Sequence, residues 1–526
     1  MRHGKAGAMG SSEEKLHGPG RGDGAGSDGF AKHAIGLSLK ALLGAGIGTP
    51  VERRGKETAS SLLAKVLGQS SLGAAAAADP HRAARALSLV IAQIDDAVSR
   101  QLNAILHHPE FQRLEASWRG IAFLHERMLY ENREDLKLKV LDASWQELER
   151  DFRKQREFDQ SHLFRCVYEE EFGQAGGLPF GVLVGDFEIR PRLSREYQRD
   201  DVAILRSIAE VAAAAFCPFI AATSPAMFDF RDFSRLERTI DLRKYFGDAS
   251  FFRWRKLREE EDSRFIGLTL PRVLMRTPYA DDPQRVDGFR FREDVEQGVD
   301  VSKYLWGSAA YAFADVLMRS FAQTDWFVDT RGVQAGIDGG GLVAGPALES
   351  FDTDSPGVAL KPSTDVAVSE NLELTLSELG FIPLCDCADT KYAAFYSCQS
   401  IQAPEQYSSS EATASARMST NLQHMFCVSR FAHYLKVMAR DLIGSLDTSE
   451  LQRYLNDWIA DYICDADASP ETKAAHPLED GRVQLVQEPG MAGAYRCFIQ
   501  LKPHFEVEAL AAAIRLDTRM SAVRPV

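Results

Sequence analysis

Short, continuous apolar runs separated by helix-length segments constrain this chain more than any other feature. Residues 181–189 (GVLVGDFEI), 218–222 and 265–270 each read as a buried strand. Between them stand a strongly apolar helical stretch at 201–215 and a charged one ahead of Phe265. Strands spaced by helices cannot close as tight hairpins, so they imply a layered α/β core.

The flanks carry other periods. Leu87, Ile91, Ile94, Val98, Leu102 and Ile105 recur at helical spacing. Pro109 then opens a second helix with Phe111, Leu114, Trp118 and Ile121 on one face, and the two read as a helical hairpin. Leu136, Leu138 and Val140 alternate with Lys137 and Lys139, which predicts a half-buried strand. Ser144 and Glu147 have capping-box spacing, so a helix should begin near Trp145. Past residue 300 a helix is expected to carry Tyr304, Leu305, Tyr311 and Phe313, followed by a glycine-rich turn at 336–345. Helices at 421–442 and 449–463 precede two alternating runs, 483–486 and 495–501. The stretch 507–516 is ambiguous, because its alanines favour helix while its position beside strands favours sheet. No internal repeat is present.

The expected class is therefore α+β or α/β, in several parts. Residues 1–79 form a glycine-rich arm, 80–135 a helical hairpin region, 136–380 a central α/β domain, and 381–526 a C-terminal domain ending in strands. The arm has two short amphipathic patches. One holds Ile35, Leu39, Leu42 and Leu43; the other holds Leu62, Leu63, Val66 and Leu67, and a glycine follows each as a stop. Helices this short are marginal alone and need a surface to dock on, either the protein's own core or a partner.

Charge and composition exclude some functions. With 61 Lys and Arg against 75 Asp and Glu, the net charge is −14, which argues against nucleic acid or an anionic membrane as main partner. The most apolar stretch, 202–228, is broken by Arg206, Glu210 and two prolines, so no membrane insertion is expected. No apolar core follows the first residues, so no secretory signal is expected. Eight cysteines in 526 residues suit a reducing, cytoplasmic setting.

Catalytic patterns are missing. The sequence has no GxxxxGK[ST], HExxH or GxSxG pattern. Gly336, Gly339, Gly340, Gly341 and Gly345 lack a following Lys, Ser or Thr and read as a tight loop. Cys385, Cys387 and Cys398 make half of a zinc set at most. His433 and His504 sit among apolar residues as core histidines, and His107 and His108 precede a helix start, where capping is the default. No catalytic residue, cofactor or metal is assigned, and the chain is not expected to be an enzyme. An α/β enzyme with an unrecognised site is the alternative from another class.

Seven ordered stretches carry a resemblance: EFQRLEASWRG (110–120), GVLVGDFEI, EDSRFIGLTLPRVLMRTPY (261–279), LWGSAAYAFADVL (305–317), ELGFIPLCDCADTKYAAFYSCQSIQAPEQY (378–407), SRFAHYLKVMARDLIGS (429–445) and LKPHFEVEALAAAIRLD (501–517). Together they span about three-quarters of the chain and resemble the large subunit of the bacterial type VI secretion contractile sheath, the TssC/VipB family. The resemblance implies a phage-tail-sheath-like fold and a structural role. It implies pairing with a small sheath subunit and stacking with other copies into a helical tube around an inner tube on a baseplate. Contraction would drive the inner tube outward, and an AAA+ ATPase would then disassemble the sheath. The family stitches neighbouring subunits by strand exchange, and the candidates here are Val483, Leu485, Tyr495, Cys497, Ile499 and Leu501. It also offers its ATPase an N-terminal helix, for which Leu62, Leu63, Val66 and Leu67 are the candidates. A non-polymerising paralogue with a baseplate or regulatory role is the nearer alternative.

Overall fold

The computed structural model describes residues 80–521, apart from 156, 175, 196, 238–240, 282–288, 297–299, 334–338, 346, 349–361, 388–389, 443–445, 488–493 and 505–513. The chain divides into two units, Met1–Ala92 and Gln93–Val526. Of the first, only the opening turns of helix α1 (Pro80–Leu106) are described.

In chain order there follow α2 (Pro109–Glu131), α3 (Trp145–Lys154), β1 (Leu183–Ile189), α4 (Asp201–Ala215), β2 (Phe219–Thr223), α5 (Phe252–Glu259), β3 (Ile266–Leu270) and β4 (Val273–Arg276). Next come β5 (Leu305–Gly307), α6 (Ala309–Thr324), β6 (Leu342–Val343), α7 (Glu370–Glu378), β7 (Ile382–Asp386), β8 (Ala393–Phe395), α8 (Ser410–Ser419), α9 (Leu422–Leu442) and α10 (Thr448–Ala460). The chain closes with β9 (Leu478–Gln487), β10 (Ala494–Pro503) and β11 (Ile514–Ser521).

A six-stranded sheet in the order β1-β2-β3-β7-β8-β6 forms the centre. The first four strands are parallel, in the register Val184↔Ile220↔Gly267 and Thr269↔Ile382; β8 and β6 return antiparallel. Strands β2 and β3 are buried at every position, as parallel strands covered on both faces must be. Alternate residues serve opposite faces. Phe219 and Ala221 pack with Ile204, Leu205 and Ile208 of α4, while Ile220 packs with Phe313, Val316 and Leu317 of α6. At the centre, a Cβ on Gly267 would lie 2.7 Å from both Ile220 and Leu422, so the bare backbone lets α9 approach the sheet.

A second layer lies at the C-terminus. Strands β9, β10 and β11 form an antiparallel sheet in the order β11-β10-β9. It packs its inner face on α9 and α10.

Some local expectations hold for identifiable reasons. Ser144 and Glu147 cap α3 reciprocally. The helix expected over 201–215 forms as α4, where Asp200 accepts from the Ala203 N–H. Three differ. Tyr304 and Leu305 do not belong to the helix of Tyr311 and Phe313; Leu305 pairs in β5, and α6 starts only after Ser308 accepts from the Ala310 N–H. Residues 136–140 belong to no strand. The hairpin is also different. Helix α2 packs along α6 instead of folding back along α1, and no α1 residue from 93 to 106 is buried. The ambiguous stretch enters β11 from Ile514 onward, paired antiparallel with β10. The part over 507–513 lies outside the described residues.

Candidate assembly surfaces

The six candidate exchange residues lie on β9 and β10, paired as Tyr495↔Gln487, Cys497↔Leu485, Ile499↔Val483 and Leu501↔Gly481. Period-2 alternation turns Val483, Leu485, Cys497, Ile499 and Leu501 inward, against Leu451, Leu455 and Ile459 of α10 and Phe431 and Leu435 of α9. Their side chains thus form this layer's own core, and what the strands can offer another chain is backbone. The side chain of Tyr495 lies outside the described residues.

The β9 edge of this sheet is closed by side chains. On the outer side of β9, Asn456 of α10 grips Val483 twice: its Nδ2 donates to the carbonyl at 2.8 Å, and its Oδ1 accepts from the N–H at 2.8 Å. Gln452, one turn earlier, accepts from the Leu485 N–H at 3.0 Å. Side-chain amides carry both a donor and an acceptor, so they can replace a neighbouring strand. For β11, β10 is the only strand neighbour among the described residues. The β9 edge is thus closed to a further strand by side chains of α10. The sealing amides escape a sequence reading, because Gln452 and Asn456 look like ordinary polar residues of an amphipathic helix.

The N-terminal half of the described chain supplies a second surface. Helix α2 buries its small and mid-sized residues Ala116, Gly120 and Leu124. A Cβ on Gly120 would sit 2.4 Å from the Tyr311 ring, so this close approach to α6 needs glycine. Of the face carrying Phe111, Leu114, Trp118 and Ile121, Ile121 packs on the cluster of Leu124 and Tyr311, while Leu114 is 55% and Trp118 65% exposed.

Four of the seven quoted sequence stretches meet at α2. Glu115 receives the Arg276 Nε at 2.7 Å, and Arg276 also donates to Glu293 at 2.6 Å. His107 reaches Glu293 at 3.1 Å, and the Tyr279 N–H donates to the same carboxylate at 2.9 Å. Burial pushes Glu293 up, but the bonds from Arg276, Tyr279 and His107 outweigh it and hold the carboxyl below its ordinary value. Arg127 forks onto Asp315 of α6 at 2.6 and 3.1 Å. Ser117 and Tyr311 both bond Asp186 of β1. His108 caps α2, whereas His107 joins the ion-pair hub, a role its position beside a helix start did not signal.

None of this resembles a reaction centre. His433 is buried with Nε2 2.9 Å from the Ala215 carbonyl, and burial brings its ring down to about 3, so it stays neutral. His504 bonds the Cys464 carbonyl at 2.8 Å. Burial pushes the Cys385 thiol up to about 12, away from the thiolate a metal needs. Among the described residues no group of three or more His, Cys, Asp or Glu could hold a metal ion. No described helix is long and apolar enough to cross a membrane. Leu62, Leu63, Val66 and Leu67 lie outside the described residues.

Two family models match successive parts of the chain, from residue 88 to residue 520. Residues 88–402 match the EvpB/VC_A0108 tail sheath N-terminal domain, and 411–520 match the tail sheath gpW/gp25-like domain of the same family. This chain belongs to the type VI secretion tail sheath family. The division between the two matches falls after the central sheet, and the second domain takes in α9, α10 and the three-stranded sheet. The chain is also 39% identical over 479 residues to the type VI secretion system sheath protein TssC1 of Pseudomonas aeruginosa, covering 90% of this chain and 92% of that protein. The chain is thus a structural sheath subunit of the large-subunit family, and its α+β architecture is that of the sheath domains. The converging motifs at α2 are then parts of one scaffold.

Proposed function

We propose that this subunit works in the cytoplasm, where it pairs with a small sheath subunit and polymerises as a helical tube around an inner tube standing on a baseplate. Contraction of that tube would drive the inner tube outward, with binding energy and not turnover as its source. The observation that carries this reading is the C-terminal sheet, whose β9 edge is closed by Asn456 while β11 has no second strand neighbour among the described residues. An open edge accepts a strand from a neighbour through backbone hydrogen bonds, a contact that survives rigid-body rotation of the joined subunits. A head-to-tail contact of this kind, repeated with a screw operation, generates a tube. Strands β9 and β10, with Val483, Leu485, Tyr495, Cys497, Ile499 and Leu501, are then the frame on which the exchange is built. Leu62, Leu63, Val66 and Leu67 are proposed as the apolar face that an AAA+ ATPase grips after contraction, by helix-in-groove docking.

The test is co-expression with the small subunit followed by negative-stain electron microscopy of the particulate fraction. Striated hollow tubes are expected. A soluble pair without tubes would point to a non-polymerising paralogue, and no pairing at all would overturn the reading. Contracted tubes carrying Leu63→Asp and Leu67→Asp should resist the ATPase; unchanged disassembly would remove that patch from consideration.

A further inference from the structure

Helix α9 belongs to the part of the chain matched by the gpW/gp25-like domain, yet one of its faces is fastened to the sheath N-terminal domain. His433, Lys436 and Arg440 follow one another at helical spacing and share that face. Opposite them stand a π-helical turn, Arg165–Glu169, the short helix that continues it, Glu170–Phe172, and the end of α4 at Ala215 and Phe216. Arg440 donates to the Phe172 and Gln174 carbonyls at 3.3 and 3.0 Å. The Lys436 ammonium donates to the Tyr168 hydroxyl at 2.8 Å, and lies 4.6, 4.9 and 5.6 Å from the ring centres of Tyr168, Phe172 and Phe216.

His433 sits in the middle of this seam and is its only imidazole, the side chain that changes charge most readily. It is 2% exposed, and its ring centre lies 5.6 Å from that of Phe172. Donation from Nε2 to the Ala215 carbonyl at 2.9 Å fixes the neutral tautomer and leaves Nδ1 bare. That nitrogen is buried, with no hydrogen-bond partner among the described residues. A proton arriving there would be an N–H without an acceptor, between Arg430 and Lys436, which stand one turn to either side. The facing segment offers it no ready carboxylate. Glu169 and Glu170 are exposed, while Glu171 is engaged by Lys139 and by the Leu178 N–H. The Tyr168 hydroxyl is taken by Lys436, and burial pushes the Cys217 thiol beside Phe216 upward, so it stays neutral.

We infer that this seam is an acid-released catch: His433 can hold a second proton only once α9 has parted from the 165–172 segment and the Ala215 carbonyl, so acidification opens the joint between the two sheath domains. The direction follows from linkage. Burial, reinforced by the two cations, holds the ring of the closed joint down to about 3, whereas a solvated histidine takes its proton at about 6.5. The closed joint therefore has its full stability above the ordinary histidine value and loses it as pH falls from there toward 3. Between pH 7 and pH 5 the open fraction should rise about 25-fold.

Hydrogen exchange on the full-length chain at pH 7 and pH 5, corrected for intrinsic amide rates, tests this. The reporters are the Glu170 and Gly173 amides, which bond the Arg165 and Glu169 carbonyls in a turn too short to persist without α9. Their exchange should speed up at least tenfold on acidification, while the amides of β2 and β3 stay unchanged. In His433→Gln, whose amide still donates but takes no proton, the acceleration should vanish. Constant exchange at the two reporters would overturn the inference. An equal acceleration in β2 and β3 would overturn it too, since that is general acid unfolding. The same acceleration in His433→Gln would assign the effect to another group. The first two comparisons use the natural chain alone, so they decide the matter even where the glutamine variant does not fold.

Discussion

Arg272 and Asp365 are joined at both backbone and side chain: the Arg272 N–H donates to one carboxylate oxygen at 3.0 Å and its Nε to the other at 2.9 Å. Burial nonetheless dominates, with Glu188 adding like charge, and the Asp365 carboxyl rises to about 6 despite the guanidinium. A carboxyl raised in the folded state binds its proton more tightly there than in the unfolded chain. Its contribution to stability is therefore full below about pH 3.9, the ordinary aspartate value, and is lost as pH rises through about 6. The stability difference between the natural chain and Asp365→Asn should fall by roughly 3 kcal/mol between pH 4 and pH 7. Parallel urea-unfolding curves across that range would contradict it. Little at this scale was legible beforehand. The Ser144–Glu147 cap was, because its partners are three residues apart. The Glu115–Arg276–Glu293 hub was not, because its members come from separate elements and each looks like a surface charge until the chain folds. Leu114 and Trp118 misled for a related reason: apolar periodicity identifies a face but not which body covers it.

Helices were the most readable elements, since period and caps agree, as at Ser144 and Glu147 ahead of α3. Short strands were not. β5 and β6 have three and two residues, too few to show a period. The alternation at 136–140 held for Leu136 and Leu138 but not for Val140, which is exposed, and the run is no strand of this chain, because alternation reports faces and says nothing of a neighbour. At the edge of β9 the same lesson applies in reverse, since α10 supplies what looks like a strand's hydrogen bonds. Asn456→Ala should leave the Val483 N–H and carbonyl without partners and lower stability by about 1–3 kcal/mol. It should also convert a sealed edge into an open one, seen as a lower thermal midpoint together with concentration-dependent aggregation. An unchanged midpoint would show that water replaces the amide at no cost.

For the whole molecule, the α/β class was accessible from the run of strands and helices, while the strand order was not. β7 lies beside β3 although α6 and β6 intervene, and β8 then turns the sheet antiparallel. Such neighbours are chosen by which faces remain to be covered, which only the assembled layers decide. The C-terminal layer also shows where the chain can be cut. Ending it after Gly490 would remove the buried Cys497, Ile499 and Leu501 and expose the faces of α9 and α10. Ending it after His504 keeps β9 and β10. This shorter deletion, lacking residues 505–526, should still be captured by the small subunit yet form no tubes by electron microscopy; normal tubes would show that β11 is dispensable for growth.

The amide seal on β9 has a consequence in the language of polymer chemistry. A sheet reactive at both edges is a difunctional monomer that couples to identical units without limit, and the product is a ribbon with no defined length or pitch. Blocking one terminus with Gln452 and Asn456 removes one of the two reactive ends. Two copies of this sheet then cannot couple β9 to β9, and ribbon growth through that edge is capped.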